Sequence, residues 1–390
     1  MAVALLFENP LAYTDLHAVA YLLSDAIGIP LRQWVQLAAD KTERPAFCPD
    51  LRSSLYFGMT SHSPRSVTPP YSDLTPDTIL SAAESLNLQP TGGFQALNSY
   101  ENRVYKIETE GAPWAMKFYR PDRWTDAAIL EEHGFTEELC AAEIPAVAPL
   151  CHHNTTLFTE QGFRFAAFPW RPGRTGGLET VAERTAFGHY LGRLHGVGQG
   201  RFTNRPTLDA ASLVVPAIAA LRDCPFLPPD LRSPFLECAT RLQAAIEAAF
   251  SEVEPAIFRI HGDCHAGNVL FNGKHFAIVD FDDCLNGPAI QDIWMLLPGD
   301  RAEQEEALGA LISGYEIFRP FDRRELRLIE PLRALRLLHY NAWIARRWHD
   351  PAFPLIFPWF REDRHFRELL SLLQSQEQRL RDPPIEVTSF

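Results

Sequence analysis

The spacing of apolar residues changes near residues 169–173, and this change restricts the fold more than any other feature of the sequence. Before this point, short apolar runs are separated by glycine and proline, as in strands. After it, apolar residues recur mostly at the spacing of amphipathic helices. We therefore predict an α+β fold of two lobes, a small β-rich N-lobe and a larger helical C-lobe, with a cleft at their junction.

The first half carries the signals of an antiparallel sheet with helices beside it. Thr75-Pro76-Asp77 is a typical helix start, because threonine caps a helix and proline suits its first position, and this helix should continue through 79–86. Gly92-Gly93 and residues 111–113 bound the strand-like runs. We expect strands at 94–98, 103–108, 114–119, 156–159 and 164–169, and a helix at 127–142.

The second half is mainly helical, with short strands between some of the helices. Neither repeats nor low-complexity segments interrupt it. We predict strand-like segments at 257–260, 269–271 and 276–280. We predict helices at 181–198, 211–222, 232–251, 288–297, 302–318, 322–349 and 363–380.

Residues 59–76 are rich in serine, threonine and proline, the composition of an extended linker. Residues 1–58 could hold a short helix at 16–26 but are too few for a convincing independent domain. Because Met59 stands at the start of the linker, translation could begin there and 1–58 would be an upstream extension. The remaining chain divides into the N-lobe, 77–170, and the C-lobe, 171–390.

Composition and charge exclude several classes of protein. The formal net charge of −13 opposes nucleic-acid binding, which needs a basic face. The seven cysteines are scattered and form no C-x-x-C pair, which disfavours a disulfide framework or a zinc ribbon. No apolar run approaches the ~18–20 residues of a membrane span, and no basic region begins a secretory signal. We expect a cytoplasmic monomer with neither nucleic acid nor membrane as partner.

Three polar residues, His261, Asp263 and Asn268, have the spacing H-x-D-x-x-x-x-N of the protein-kinase catalytic loop. Twelve residues after Asn268, a short apolar strand ends in Asp280-Phe281-Asp282, in the place of the D-F-G metal ligand. Asp282 stands where a kinase has glycine. Each pattern alone is moderately specific, but together they predict a phosphotransferase with a protein-kinase-like fold.

The chemistry of phosphoryl transfer accounts for these residue types, because it depends on positioning and charge neutralisation. Asn268 and Asp280 offer oxygen atoms suited to Mg²⁺, whereas Asp263 would stay off the metal and accept a hydroxyl proton. We therefore predict Asp263 and Asp280 as catalytic residues, and Asn268 and Asp280 as metal ligands. A tight turn in which these side chains bond backbone groups is the alternative.

His261 and His265, with Asp263 between them, could instead form a Zn²⁺ cluster. A zinc hydrolase would need further histidines from neighbouring elements. The residues that follow are the acidic Asp280 and Asp282, which suit Mg²⁺. We therefore expect His261 to support the loop rather than to bind a metal.

Lys117 lies in an apolar strand, like the lysine of the V-A-I-K motif that grips nucleotide phosphates. Lysines in strands are usually solvated at an edge, but large apolar neighbours favour one that reaches into the cleft. Its partner should come from the next helix, where Glu131 and Glu132 are the candidates and we favour Glu132. Both glutamates could also lie on a solvated helix face.

The loop that would cover the phosphates, 97–102, has no G-x-G-x-x-G pattern. Ser99 can donate its hydroxyl and its backbone N–H to a phosphate, and Asn102 tolerates turn conformations. An ordinary hairpin turn is the alternative. The predicted nucleotide-binding residues are therefore Ser99, Lys117 and Glu132.

The C-terminal part contributes two further groups of polar residues. Asp292 lies early in a helix, and we expect a structural role in which it hydrogen-bonds the loop at 261–268. Arginines on the C-terminal helices accompany several tryptophans and would form a solvated face, salt bridges or a docking surface for an acidic partner. These arginines are residues 323, 324, 327, 333, 336, 346 and 347.

Several segments together resemble the bacterial stress response kinase A family, within the superfamily of aminoglycoside and choline kinases. The resemblance covers roughly residues 72–390 and leaves 1–58 unmatched. It is carried by residues 97–105, 117–121, 129–133, 261–268, 286–292, 329–334 and 346–354.

The resemblance implies a cytoplasmic Ser/Thr protein kinase that uses ATP and Mg²⁺ and is linked to protection against stress. It assigns Asp263 as proton acceptor, Asn268 and Asp280 to Mg²⁺, and Ser99 to ATP. That family itself lacks the glycine-rich fingerprint. One rival is a kinase for a small alcohol such as choline, an aminoglycoside or homoserine, with the same catalytic core. A non-catalytic ATP-binding module is the other, and the presence of all these residues speaks against it.

Overall fold

The computed structural model describes residues 69–97, 99–176 and 178–387. The chain divides into two units, Met1–Pro69 and Pro70–Phe390, and all elements named below belong to the second. The expected helix at 16–26 and the candidate start at Met59 lie outside the described residues, as does most of the linker. The domain limits given above stay predictions.

Helix α1 (Pro76–Ser85) precedes the sheet of the N-lobe. The side-chain oxygen of Thr75 accepts the backbone N–H of Thr78 at 3.2 Å, and Pro76 occupies the first helical position. A capping hydroxyl accepts a backbone N–H that has no partner inside the helix, and proline at the first position has no N–H that would need a partner. The helix start predicted from the sequence is confirmed.

The strands of the N-lobe form one antiparallel sheet. Their bounds are β1 Pro90–Ala96, β2 Arg103–Thr109, β3 Trp114–Phe118, β4 Phe158–Glu160 and β5 Phe163–Pro169. Their order is β1-β2-β3-β5-β4. The register of β1 shifts between Pro90 and Phe94, and Gly92 there has φ +90°. Gly92-Gly93 therefore lies inside β1 rather than before it, because glycine adopts the conformation of a bulge without strain.

Alternation along β3 directs its side chains to opposite faces of the sheet. Met116 and Phe118 pack against α1 in one buried cluster. The opposite face is covered by helix α2 (Asp126–Ala141), whose Ile129 packs on Tyr119 just beyond the strand. Lys117, between Met116 and Phe118, consequently points toward α2.

Helices make up most of the C-lobe, and none of the described helices is long and apolar enough to cross a membrane. The main helices are α3 Val181–Val197, α4 Ala210–Arg222, α5 Arg232–Val253, α6 Gln291–Trp294, α7 Arg301–Tyr315, α8 Ile329–Arg347, α9 Ala352–Ile356 and α10 Asp363–Arg379. The short strands are β6 Arg174–Thr175, β7 Phe258–Ile260, β8 Val269–Phe271, β9 Phe276–Ile278 and β10 Leu285–Gly287. The predicted α+β, two-lobe architecture is confirmed.

Two of the predicted helices are wrong in their limits. The helix expected at 288–297 is the single turn α6, which begins at Gln291 and ends at Trp294 with Met295 as its C-cap. The helix expected at 322–349 is divided into a 3₁₀ segment, Arg323–Leu328, and α8. Pro331 accounts for the division, because its missing N–H suits the first turn of a new helix and would break a continuous one.

Candidate active site

Residues 261–268, hereafter the 261–268 loop, follow β7 and lead into β8. Gly262 has φ +85°, and a Cβ atom at this position would lie 2.4 Å from the carbonyl oxygen of Asp283. Glycine is required there, because any side chain would meet backbone and would also be strained. The loop therefore packs directly against the acidic segment 280–283.

A buried aspartate on α6, Asp292, holds the start of the 261–268 loop. Its Oδ2 atom accepts the backbone N–H of His261 and its Oδ1 atom that of Gly262, both at 2.8 Å. Oδ2 also lies 3.0 Å from Nε2 of His195. The expected hydrogen bonding of the loop by Asp292 is confirmed.

Both ring nitrogens of His261 are occupied by backbone groups. Nδ1 accepts the N–H of Asp263 at 3.2 Å, so Nε2 carries the proton and donates it to the carbonyl oxygen of Val279 at 3.0 Å. Within the described residues, no group of three or more His, Cys, Asp or Glu side chains is arranged to hold a metal ion. Neither ring nitrogen of His261 is thus free to bind a metal ion in this arrangement, which disfavours the zinc alternative for His261 and His265.

The carboxylate of Asp263 lies between two nitrogen-bearing side chains. Its Oδ1 atom is 2.9 Å from Nη1 of Arg336, and its Oδ2 atom is 3.5 Å from Nε2 of His265. Burial would raise the pKa of Asp263, but Arg336 and then His265 outweigh it and hold that pKa well below its usual range. Asp263 is therefore an ionised carboxylate, with 26% of its side chain exposed.

Asn268 and Asp280 lie at the same end of the β8–β9 pair. Val279 donates its backbone N–H to the carbonyl oxygen of Asn268 at 3.0 Å, and Asp280 follows with φ +62°. The Nδ2 group of Asn268 donates to the carbonyl oxygen of Asp263 at 3.0 Å, which leaves Oδ1 as its ligand atom. The Asp280 side chain is 57% exposed. Two such oxygen donors suit Mg²⁺, which takes few protein ligands and completes its shell with phosphate and water.

Three carboxylates surround the ammonium group of Lys117, which is only 6% exposed. Its Nζ atom lies 3.0 Å from Glu132, 2.9 Å from Asp282 and 3.6 Å from Asp280. Burial would lower the pKa of Lys117, but Asp282 and Glu132 reverse this and raise the pKa well above its usual value. Lys117 is therefore a buried cation that joins β3, α2 and the segment after β9; we call these four residues the Lys117 cluster.

Glu131, the other glutamate considered as a partner of Lys117, has different contacts. Its carboxylate accepts the backbone N–H groups of Thr203 and Asn204, each at 2.8 Å. It thereby fixes α2 to the loop before α4. Of the two adjacent glutamates, Glu132 contacts Lys117 and Glu131 does not.

Two arginines balance the negative charge of the Lys117 cluster. Arg123 pairs with Asp282 and also, at 2.5 Å, with Asp283. Arg205 lies 3.0 Å from Glu132 and donates to the carbonyl oxygen of Asp282 at 2.5 Å. Paired charges can be buried at an acceptable cost, whereas unpaired ones cannot. The Lys117 cluster and these two arginines therefore form a network of paired opposite charges, and the acidic groups are not left uncompensated.

Sequence reasoning did not identify the contacts of Arg123, Arg205 and Arg336. Arg123 follows β3, Arg205 lies before α4, and Arg336 was one of several arginines on a C-terminal helix. Their partners are 159, 73 and 73 residues away, respectively, so the local spacing of residues does not indicate these contacts. The one available signal was the acidic run 280–283, which requires cations if it is buried.

Ser99 lies half-buried in the loop between β1 and β2. Glu101 of the same loop accepts hydrogen bonds from Trp343 at 2.5 Å and from Arg347 at 3.0 Å, so the loop is held against α8. Within the described part of the chain, no hydrogen bond or ion pair links Ser99 to Lys117. The structure thus brings Lys117 and Glu132 into direct contact, whereas no described hydrogen bond or ion pair joins Ser99 to either of them.

Comparisons with known proteins agree with this fold. The model of the phosphotransferase enzyme family APH matches residues 93–329, more than half of the chain. A solved structure, an amicoumacin kinase in complex with AMP-PNP, Ca²⁺ and Ami, covers 80% of this chain and 95% of its own, with a TM-score of 0.61. At 20% identity that likeness concerns the fold alone. The class of this protein is therefore a phosphotransferase with a kinase-like fold.

Closer relatives define the group within that class. Stress response kinase A from Escherichia coli O157:H7 is 44% identical over 322 residues, which are 82% of this chain and 97% of the relative. Serine/threonine protein kinase RdoA from Salmonella typhimurium strain LT2 is 41% identical over 321 residues, with the same coverage of both chains. The chain belongs to the stress response kinase A group of the APH phosphotransferase family.

Proposed function

We propose that this protein is an ATP- and Mg²⁺-dependent serine/threonine protein kinase. The observation that carries the proposal is the carboxylate of Asp263, which is ionised, partly exposed and linked through its backbone carbonyl to the side chain of Asn268. An acceptor hydroxyl needs such a carboxylate within reach of a site that holds phosphates. Lys117, paired with Glu132 and Asp282, is the cation suited to hold them.

In the proposed reaction, each residue has a separate task. Lys117 binds the nucleotide phosphates, and Glu132 fixes its ammonium group. Asp263 accepts the hydroxyl proton while the acceptor oxygen bonds to the γ-phosphorus and the bond to the β–γ bridging oxygen breaks, which releases ADP. Asn268 and Asp280 would hold Mg²⁺, which neutralises phosphate charge when it is bound.

The proposed acceptor is a protein serine or threonine rather than a small alcohol. A relative that is 41% identical over most of both chains bears the name serine/threonine protein kinase. The solved structure of a kinase in complex with the small molecule Ami shares only 20% identity, which supports the fold and not the acceptor.

The cysteines of the described residues are all free, and we therefore propose a reducing, cytoplasmic location.

The test is a transfer assay with γ-labelled ATP and two kinds of acceptor. One arm contains heat-treated lysate proteins and dephosphorylated casein, and the other contains choline, kanamycin and homoserine. We expect label on protein, recovered as phosphoserine or phosphothreonine. Asp263→Asn should lower the rate by about 100-fold or more, the range of a general base, without changing ATP affinity in calorimetry.

Asp223→Asn is the matched control, because Asp223 is an exposed aspartate that pairs with its neighbour Arg222. It should transfer phosphate at the wild-type rate. Label that enters only a small alcohol would refute the protein acceptor. Full activity of Asp263→Asn would refute the proposed role of Asp263.

A further inference from the structure

Helix α8 contributes an arginine to the candidate active site, although this residue, Arg336, lies 73 positions after Asp263 in the sequence. Nη1 of Arg336 donates to Oδ1 of Asp263 at 2.9 Å. We propose that Arg336 is a positioning residue for phosphoryl transfer, which holds Oδ1 of Asp263 and so presents Oδ2 to the acceptor hydroxyl. This inference rests on the proposed function of Asp263.

The second carboxylate oxygen has a weaker neighbour. Gly267 donates its backbone N–H to Nδ1 of His265 at 2.9 Å, so the proton of His265 is on Nε2. Nε2 lies 3.5 Å from Oδ2 of Asp263, longer than the usual range for such a hydrogen bond. Oδ2 is therefore the oxygen that an incoming hydroxyl can approach, while Oδ1 is occupied by Arg336.

The 261–268 loop is built to keep this arrangement. A Cβ atom at Gly267 would lie 2.6 Å from the His265 ring, so glycine allows the ring to fold back over the backbone. On the other side, the Nδ2 group of Asn268 donates a hydrogen bond to the backbone carbonyl oxygen of Asp263 at 3.0 Å. The backbone of Asp263 is thus anchored by the loop, and its side-chain torsion is set by Arg336 from another element.

The contact between Arg336 and Asp263 positions the carboxylate and does not make it a stronger base. A cation beside a carboxylate makes it a weaker base, so an ion pair would be a poor device for strengthening proton abstraction. Phosphoryl transfer has a loose transition state, in which alignment of the attacking oxygen contributes more than base strength. A guanidinium group also fixes direction, because its N–H donors lie in one plane.

Other arginines of α8 have contacts elsewhere. Arg333 lies 2.9 Å from Glu330 and also donates to Gln304 at 3.1 Å. Arg347 pairs with Glu101 of the loop between β1 and β2. Among the described arginines of this helix, Arg336 is the one in contact with Asp263. Arg333 therefore provides a control for the loss of an ion pair from the same helix.

The experiment compares Arg336→Ala, Arg336→Lys and Arg333→Ala with wild type, using γ-labelled ATP and heat-treated lysate proteins as acceptor. We expect Arg336→Ala to lower the apparent kcat by about 10- to 100-fold, the effect of misplacing a reacting group, with KM for ATP unchanged. Millimolar guanidinium should restore part of that loss, and Arg336→Lys should retain part of the activity. Arg333→Ala should keep the wild-type kcat.

The outcomes separate this inference from the function on which it rests. Wild-type kcat in Arg336→Ala, while Asp263→Asn is inactive, would overturn the positioning role alone. An equal loss in Arg333→Ala, or a loss that guanidinium does not relieve in a protein with wild-type Tm, would also overturn it. If Arg336→Ala does not fold, Arg336→Lys decides, because wild-type kcat there excludes a need for the planar guanidinium. An active Asp263→Asn enzyme would refute the proposed function and this inference together.

Discussion

At the scale of single residues, two buried carboxylates differ in charge because different groups face them. Burial raises the pKa of Asp282, but Arg123 and Lys117 outweigh it and lower that pKa below its usual range. Burial also raises the pKa of Glu325, to about 7, and the backbone N–H of Ile290, at 2.9 Å, offsets only part of the effect. Asp282 is therefore charged at neutral pH, whereas Glu325 is partly protonated.

Replacement of Glu325 by glutamine should change how stability depends on pH. Between about 4.5 and about 7, folded Glu325 keeps a proton that the unfolded chain has lost. Stability therefore falls as pH rises through this window, by about 3 kcal/mol in total, and stays low above it. Glu325→Gln has no such loss, and its amide oxygen still accepts the Ile290 N–H. The Tm of this variant relative to wild type should rise from about pH 5 to about pH 8.

Glu305→Gln is the control, because Glu305 is an exposed glutamate on α7 and its replacement removes the same charge. The difference in Tm between that variant and wild type should be nearly constant with pH. A constant difference for Glu325→Gln as well would contradict the raised pKa of Glu325.

At the scale of elements, glycines set the distance between helices α3 and α7. A Cβ atom at Gly188 of α3 would lie 2.1 Å from the carbonyl oxygen of Leu311 on α7. One at Gly314 of α7 would lie 2.0 Å from the carbonyl oxygen of Thr185 on α3. Each contact is with backbone, which cannot turn aside as a flexible side chain can. The two helices therefore approach as closely as they do because these positions lack side chains.

Gly314→Ala should destabilise the protein even though alanine favours helix. The gain in helix propensity is about 1 kcal/mol, whereas forcing apart a packed interface costs about 1–3 kcal/mol or more. Gly134→Ala in α2 is the control, because no heavy atom other than those of the adjoining chain and its own helix backbone lies within 4 Å of the added Cβ. Thermal unfolding should show a lower Tm for Gly314→Ala and an equal or higher Tm for Gly134→Ala. Equal shifts in the two variants would contradict the role of close packing.

The elements were more predictable from the sequence than the contacts between them. The capped start of α1 and the strands around Lys117 follow from local signals, namely threonine before proline and alternating apolar residues. The strand β10 was missed, because it has only three residues, Leu285–Gly287, and pairs with β7. Such short strands are specified by their partner and not by their own sequence.

The candidate site likewise contains some residues that the sequence could group together and some contacts that it could not predict. The spacing of Asp263, Asn268 and Asp280 lies within one stretch of chain, so sequence could group these residues. The ion pair of Arg336 with Asp263 joins residues 73 apart, and that of Arg123 with Asp282 joins residues 159 apart. Contacts at such distances depend on how helices and strands pack, which one sequence without its fold does not specify.

At the scale of the whole molecule, buried charges join the N-lobe to the end of α8. Arg120, after β3, lies 2.7 Å from Asp350, 230 residues away, and each is 3% exposed. Arg120 also lies 3.5 Å from Glu101, which in turn pairs with Arg347 at 3.0 Å. These ion pairs hold the loop between β1 and β2, which contains Ser99, against the helical lobe.

Asp350→Asn should therefore loosen the contact between the lobes. It leaves the buried Arg120 without its main counter-charge, at a cost of about 3 kcal/mol, while the amide oxygen can still accept the N–H of Ala352. Amide hydrogen exchange should become faster at 99–102, the described part of the loop that these charges hold. Asp230→Asn is the control, because Asp230 forms an exposed pair with Arg367 whose loss should cost at most about 1 kcal/mol.

A double-mutant cycle with Arg120→Met distinguishes this interlobe pair from two independent effects. Each single variant leaves a buried polar group or charge unpaired, whereas the double variant removes both charges together. We therefore expect the double variant to lose less free energy of unfolding than the sum of the two single losses, by about 1–3 kcal/mol. Additive losses, or unchanged exchange at 99–102 in Asp350→Asn, would show that Arg120 and Asp350 do not hold the lobes together.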